Sequence, residues 1–379
     1  LEFQRSGSMA WLWIVILFAG CAAPLQQAGR LGDGATLDTA IDHAADNLLT
    51  QLQRLPEFQS VLQRTLQSFT KVRIMVDTAV DTSTGQATAA TQFMDSRLLG
   101  RATAKFPQFD VQPKSPESLA SARYILVPTL TLLTNADRRS GNFRVNLSLT
   151  DQRTGLVVAQ AAATSVSTGV DSTPTAFFRD SPALARDPAV EGQIRTSQSA
   201  VGTEADGVYL SGLSVSLLID EGSRLYGEGK YIEALRVYEE AVSRPDGKQA
   251  RVFNGLYLTN NQLGRTSAAQ EAFSNIVRLG LLTNNLSVRF LFQPGSTEFI
   301  NDRKISGIYP VWLDILSTEI EQGGYCLIVV GHSSRTGTEE FNDRLSLQRA
   351  QVIRERLQAN RPEISPRLRA AGMGFRENL

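Results

Sequence analysis

Cysteine and histidine are scarce in this chain: Cys21 and Cys326 are its only cysteines, His43 and His332 its only histidines. That excludes a disulfide-stapled scaffold, a four-cysteine zinc site and a His-Glu-x-x-His metal motif. An excess of one charge is missing too, since 38 Lys plus Arg balance 38 Asp plus Glu. Proteins that hold nucleic-acid phosphates concentrate basic charge, so no nucleic-acid partner is expected. The apolar run Trp11 to Ala19 is shorter than the about 20 residues a membrane-spanning helix needs. A phosphate-binding P-loop is also absent, because Gly229-Lys230 is followed by Tyr231 and residue 224 is Arg. No Gly-x-Ser-x-Gly elbow follows a strand. The paired acids Glu239-Glu240 and Glu339-Glu340 read as solvated helix faces. The expectation is a protein without catalytic residues, metal or cofactor.

What is present is a large apolar fraction. The chain has 379 residues, 42% of them hydrophobic. At about 150 residues per domain this is material for two or three domains. Its amino end is distinctive. The run Trp11 to Ala19 suits the apolar part of a signal peptide, and Leu17-Phe18-Ala19-Gly20-Cys21 resembles the lipobox of bacterial lipoproteins. The resemblance implies that residues 1–20 are removed, that lipid is attached to Cys21, and that residues 21–34 tether the protein to the periplasmic face of the outer membrane. A plain secretory signal is the alternative. Leu1 to Ser8 reads as an extension upstream of Met9. Cys326, in the β-rich run Tyr325 to Val330, reads as a buried hydrophobe.

Residues 35–160 read as an α/β module. Apolar residues at Leu37, Ile41, Ala45, Leu48, Leu49, Leu52 and Leu55 have helical spacing, and His43 sits on that helix as a solvated side chain. Val72 to Val76 is a strand, Phe93 to Phe106 a helix and Phe109 to Val111 a strand; Tyr124 to Leu133 pairs onward with Phe143 to Thr150, which turns at Asp151 to Gly155 into Leu156 to Ala159. An antiparallel or mixed sheet flanked by helices is expected. Ser96-Arg97-Leu98, Ala104, Phe109-Asp110-Val111, Ser148-Leu149-Thr150-Asp151 and Thr154-Gly155 resemble the periplasmic domains of curli-secretion lipoproteins, flagellar outer-membrane lipoproteins and lipoprotein activators of penicillin-binding proteins. Docking rather than catalysis is what the resemblance implies.

Residues 161–212, rich in Ser, Thr, Gly, Asp and Pro without sustained period, read as a linker with room for a short helix or hairpin, or as a segment ordered by a partner. Residues 213–283 carry a repeat: Gly229, Tyr231, Ala234, Tyr238 and Ala241 recur 35 positions later as Gly264, Thr266, Ala269, Phe273 and Ile276. Upstream, Gly222 matches Tyr257, although a small residue is usual there. The spacing resembles tetratricopeptide repeats and implies two α-helical hairpins, serving either as a protein-binding surface or as a spacer. Two units are few for a free-standing stack, so a neighbour must cover them.

Residues 286–379 give the most specific pattern. Val288 to Phe292 reads as a strand, Ile305 to Ile320 as a helix accommodating Pro310, Leu327 to Val330 as a buried strand, Glu339 to Leu357 as a helix and Leu368 to Phe375 as the last strand. Gly331-His332-Ser333-Ser334, Gly337 and Asn342-x-x-Leu345-Ser346-x-x-Arg349-Ala350 closely resemble the OmpA-like domain that binds peptidoglycan. A βαβαβ fold is implied, with Arg349, Asn342, Leu345, Ser333 and Ser334 at the site and the stem peptide as partner. Arg349 lies beside the apolar stripe Phe341, Leu345, Val352 and Ile353, where a guanidinium either holds a planar anion or braces a carbonyl or a local acid such as Asp343. The family usually places an aspartate fifteen residues before this arginine, and here that position is Ser334. Losing such a charge-assisted bond costs about 1.5–3 kcal/mol. His332 adjoins the site and reads as a strand-end residue.

The sequence thus predicts an α+β multidomain protein: a lipid-anchored, non-catalytic outer-membrane protein contacting peptidoglycan and docking envelope partners. Its alternative is a structural subunit of a secretion or flagellar outer-membrane complex with weakened wall binding.

Overall fold

A computed structural model describes residues 34–55, 71–134, 141–184, 186–334 and 336–375. The lipobox and Cys21 lie outside the described residues, so the anchor remains an expectation from sequence. Among the described residues no helix is long and apolar enough to cross a membrane. The architecture is α+β.

The first part is built on a mixed sheet. Its elements are α1 (Leu37–Gln53), β1 (Val72–Val76), β2 (Val80–Asp81), α2 (Ala89–Lys105), β3 (Phe109–Pro113), α3 (Pro116–Ser121), β4 (Tyr124–Thr134), β5 (Gly141–Asp151) and β6 (Val157–Val166). The strand order is β3-β1-β4-β5-β6, with β2 also on β4. Parallel pairing of β1 with β3 and β4 gives way to antiparallel β4-β5-β6. One sheet face is apolar: Val145, Leu147, Leu149, Ala159, Ala161 and Ala163 pack against Leu48, Leu49 and Leu52 of α1 and Met94 and Leu98 of α2. The small side chains of β6 let α1 lie close. Two bidentate ion pairs, Arg97 to Asp42 and Arg101 to Asp46, tie α1 to α2.

The expected linker, residues 161–212, is ordered structure instead. β6 extends to Val166, and α4 (Ala176–Asp180), α5 (Pro188–Gln198) and the start of α6 (Gly207–Gly227) follow. Together α5 and α6 cover the second sheet face. Near its centre that face is polar, carrying Thr129, Asn146, Ser148 and Thr150, all buried. The helix covering it is polar in turn: Thr129 Oγ1 lies 2.8 Å from Ser197 Oγ, and Gln193 Nε2 donates to Thr78 O at 2.7 Å. A polar helix on a polar sheet face shows little hydrophobic periodicity, and so it reads as loop. Its local start signal is nevertheless present: Asp187 caps Val190 N, and Pro188 occupies the first turn.

Helices α6, α7 (Tyr231–Ser243), α8 (Ala250–Gln262) and α9 (Thr266–Leu282) form two hairpins in the predicted places. Tyr238 fills the space between them so tightly that a Cβ at Gly255 would stand 2.3 Å from its ring, and one at Gly222 2.6 Å away. Tyr257, out of place for the repeat, has a different task. Its ring packs on Phe273 and Trp312, and its hydroxyl accepts from Trp312 Nε1 at 3.2 Å.

The C-terminal segment comprises α10 (Arg303–Ser306), α11 (Tyr309–Gly323), β7 (Leu327–Gly331), α12 (Glu339–Asn360) and β8 (Leu368–Gly372). Pro310 stands in the first turn of α11, where its missing N–H costs nothing. The predicted βαβαβ sheet is only partly formed, since the sheet here is the parallel pair β7-β8. Residues 288–292 do not join it: Arg289 N donates to Pro182 O, and Val288 forms a bridge with Ala183. Their side chains enter an aromatic cluster in which Phe290 meets Phe299, Tyr309 and Trp312. Two burial expectations also fail. Strand β7 is exposed on one face, with Ile328 65% and Val330 40% accessible, and Cys326 is an exposed free thiol. Positions 326, 328 and 330 share that face because strand side chains alternate. One continuous core runs from Phe177 through Tyr238, Phe273 and Trp312 to Leu357 and Leu368, joining the helical hairpins to the C-terminal segment.

Candidate functional site

Two places merit a site description, the C-terminal motif and a cavity beside the first sheet. In the C-terminal motif each side chain has a local structural partner. The amide of Asn342, 1% exposed, donates to Thr336 O and Thr338 O and latches the loop after β7 onto α12. Leu345 is buried, and Ser346 Oγ accepts from Gly374 N at 2.9 Å. Ser333 is buried with its Oγ 3.4 Å from Asn342 O, while Ser334 is exposed with its Oγ 3.5 Å from Thr336 Oγ1. Gly331 lets β7 touch the helix, since a Cβ there would lie 2.0 Å from Ser346 O.

Arg349 takes the bracing role that the sequence left open. Its Nε donates to Ser296 O at 3.0 Å and its Nη2 to Gln293 O at 2.9 Å. The guanidinium also stacks over the Phe292 ring, 5.0 Å from its centroid. A fork-shaped donor matched to two carbonyls fastens the 293–296 loop to α12. Burial draws its pKa below the ordinary arginine value. Of the expected apolar stripe, Leu345 and Ile353 are buried whereas Phe341 is 41% exposed.

The second place was not read from the sequence. A cavity of about 520 Å³ lies between the sheet and α6, lined by Asp77, Asp95, Lys114, Tyr209, Asp220 and Arg251 among others. It sits at the carboxyl ends of parallel strands, since Asp77 directly follows β1 and Lys114 directly follows β3. Crevices of open α/β sheets form in this position because the crossovers there part to either side. Asp95 comes from α2, Tyr209 and Asp220 from α6.

The floor of this cavity is an ion network. Lys114 Nζ lies 2.8 Å from Asp77 Oδ1 and 2.9 Å from Asp220 Oδ2, with the lysine side chain 6% exposed and that of Asp77 2%. Tyr209 Oη donates to Asp77 Oδ2 at 2.6 Å, and Thr78 Oγ1 to Asp220 Oδ2 at 2.9 Å. Burial alone would lower the lysine's pKa, but Asp220 and Asp77 outweigh it and raise it. Burial, and then the nearby Asp77, pushes the Tyr209 hydroxyl well above the usual phenol range. Asp95 faces the same network and accepts the backbone N–H of Ala79 at 3.0 Å. Enclosure, followed by repulsion from Asp77 and Asp220, holds its carboxyl well above the usual range. Arg251 is paired with buried Asp187 at 3.0 Å. Among the described residues no group of carboxylates, histidines or cysteines is disposed to hold a metal ion. One signal for the cavity is in the sequence: an ionisable residue stands immediately after each of the strands Val72–Val76 and Phe109–Pro113.

No family model, curated protein or solved structure matches this chain.

Proposed function

We propose that the protein is a non-catalytic scaffold of a bacterial envelope complex, held at the periplasmic face of the outer membrane by lipid on Cys21. Its OmpA-like segment serves as a docking shell with weakened peptidoglycan binding, and the tetratricopeptide-like hairpins brace that shell against the first α/β domain. The observation that carries this reading is the engagement of Arg349 with Gln293 O and Ser296 O. The guanidinium that would meet a stem-peptide carboxylate is committed to the protein's own loop, and Ser334 offers no charge to an ammonium. Exposed Ile328, Val330 and Phe341 on the same segment support a protein partner. The outer-membrane placement rests on the lipobox resemblance of Leu17 to Cys21.

The test is native size. Extracted in mild detergent from its own envelope, the full-length protein is expected to migrate in an assembly with other proteins. A lone monomer would overturn the scaffold reading.

A further inference from the structure

The geometry points to the cavity between the first sheet and α6 as a binding site for a small organic cation, an amine with an apolar body. Three features of the cavity select that class. Its volume of about 520 Å³ is that of a small-molecule pocket, and exposed Gln92, Asp171 and Arg224 among its lining residues give it a mouth. Its charge is unbalanced. Asp77 and Asp220 already share the one ammonium, Lys114, and a third acid, Asp95, faces the same network with no cation of its own in contact among the described residues. The remaining cations are committed elsewhere, Arg251 to Asp187 and Arg224 to Glu221 and Glu228. Asp171 adds a further acid, and Tyr209 is a neutral donor already given to Asp77. Part of its wall is apolar, formed by Val80, Ala89, Phe178 and Ile219. A bound ammonium beside Asp95 and Asp220 would supply the missing positive charge, while its hydrocarbon part covers those walls.

A consequence follows for protons. Enclosure, and then the nearby Asp77 and Asp220, push the pKa of the Asp95 carboxyl well above the usual carboxylate range. An arriving cation acts in the opposite sense and lowers that pKa, so binding favours release of a proton from Asp95. Because Asp220 belongs to α6 and Asp77, Asp95 and Lys114 to the sheet side, the ligand also ties the helical layer to the sheet.

Calorimetry on the purified full-length protein at neutral pH tests this with three probes of one shape: phenethylamine, the neutral 2-phenylethanol and the anionic 3-phenylpropanoate. Phenethylamine is expected to bind about tenfold or more tighter than the alcohol, with the anion weakest. Its binding heat should vary with the ionisation enthalpy of the buffer in the sense of proton release. Asp95→Asn keeps an acceptor for Ala79 N–H and so preserves the fold, which its circular dichroism checks. It should weaken amine binding about tenfold and abolish the proton release. Asp220→Asn, at a less buried position, should weaken binding without abolishing the release. Equal binding of amine and alcohol, absence of amine binding, or unchanged amine affinity in both variants overturns the proposal.

Discussion

At Lys114 one ammonium lies between two carboxylates, and its removal leaves both without a counter-ion. Lys114→Met is therefore expected to destabilise the fold by about 3–5 kcal/mol, measured by urea unfolding. Asp95 behaves in the opposite way, because the folded state prefers its neutral form. A carboxyl whose folded pKa is raised binds a proton more tightly in the native state. Its stabilising contribution is complete at low pH and is lost as pH rises from the ordinary carboxylate value of 3.8 through the raised folded value. Asp95→Asn carries no such dependence. In thermal melts it should gain on the wild type as the pH is raised from acidic to mildly basic, and a constant difference would contradict this account. Arg349 was legible as an arginine beside an apolar stripe, with ligand and carbonyl both open. The carbonyls lie in 293–296, more than fifty residues upstream, and no local pattern exposes such a contact. Arg349→Ala should cost about 1.5–3 kcal/mol for its two charged hydrogen bonds.

Elements with a strong apolar period were legible: α1, β1, α2 and the β4-β5-β6 meander lie where the pattern places them. What the pattern missed was decided by surfaces it does not record. Helix α5 was hidden because its buried face carries Gln193, Thr196 and Ser197, of which Ser197 meets Thr129 of the sheet and the others bond to loop backbone. Residues 288–292 have the residue types of a strand, yet their backbone pairs with 182–184 at one end and with 299–300 at the other. Their aromatic side chains pack away from β7, Phe290 on Tyr309 and Trp312 and Phe292 on Phe299. The helical hairpins give the sharpest test at this scale. At Gly255 an added methyl meets the Tyr238 ring, so Gly255→Ala should cost about 1–3 kcal/mol. Combined with Tyr238→Leu the added cost should shrink, and strict additivity would contradict the close approach.

Across the whole molecule, the estimate of two or three domains from length missed how the parts are joined. Tyr257, a departure from the repeat, binds Trp312 and carries the helical core into the C-terminal segment. The ion pair Arg278 to Glu319 crosses the same junction at 2.8 Å. Trp312→Ala should thus lower the stability of both parts together, by about 3–5 kcal/mol, in one unfolding transition. Beyond the ionisable residues after β1 and β3, the cavity was illegible because its carboxylates come from the end of β1, from α2 and from α6, far apart in sequence and brought together by the fold.

The proposed docking shell in the C-terminal segment requires an arginine that serves the fold rather than the cell wall. Co-sedimentation of the purified protein with isolated peptidoglycan sacculi tests it most directly, with wild type and Arg349→Ala side by side. Weak retention, the same for both proteins, is expected. Saturable retention by the wild type that Arg349→Ala abolishes while remaining folded would contradict it.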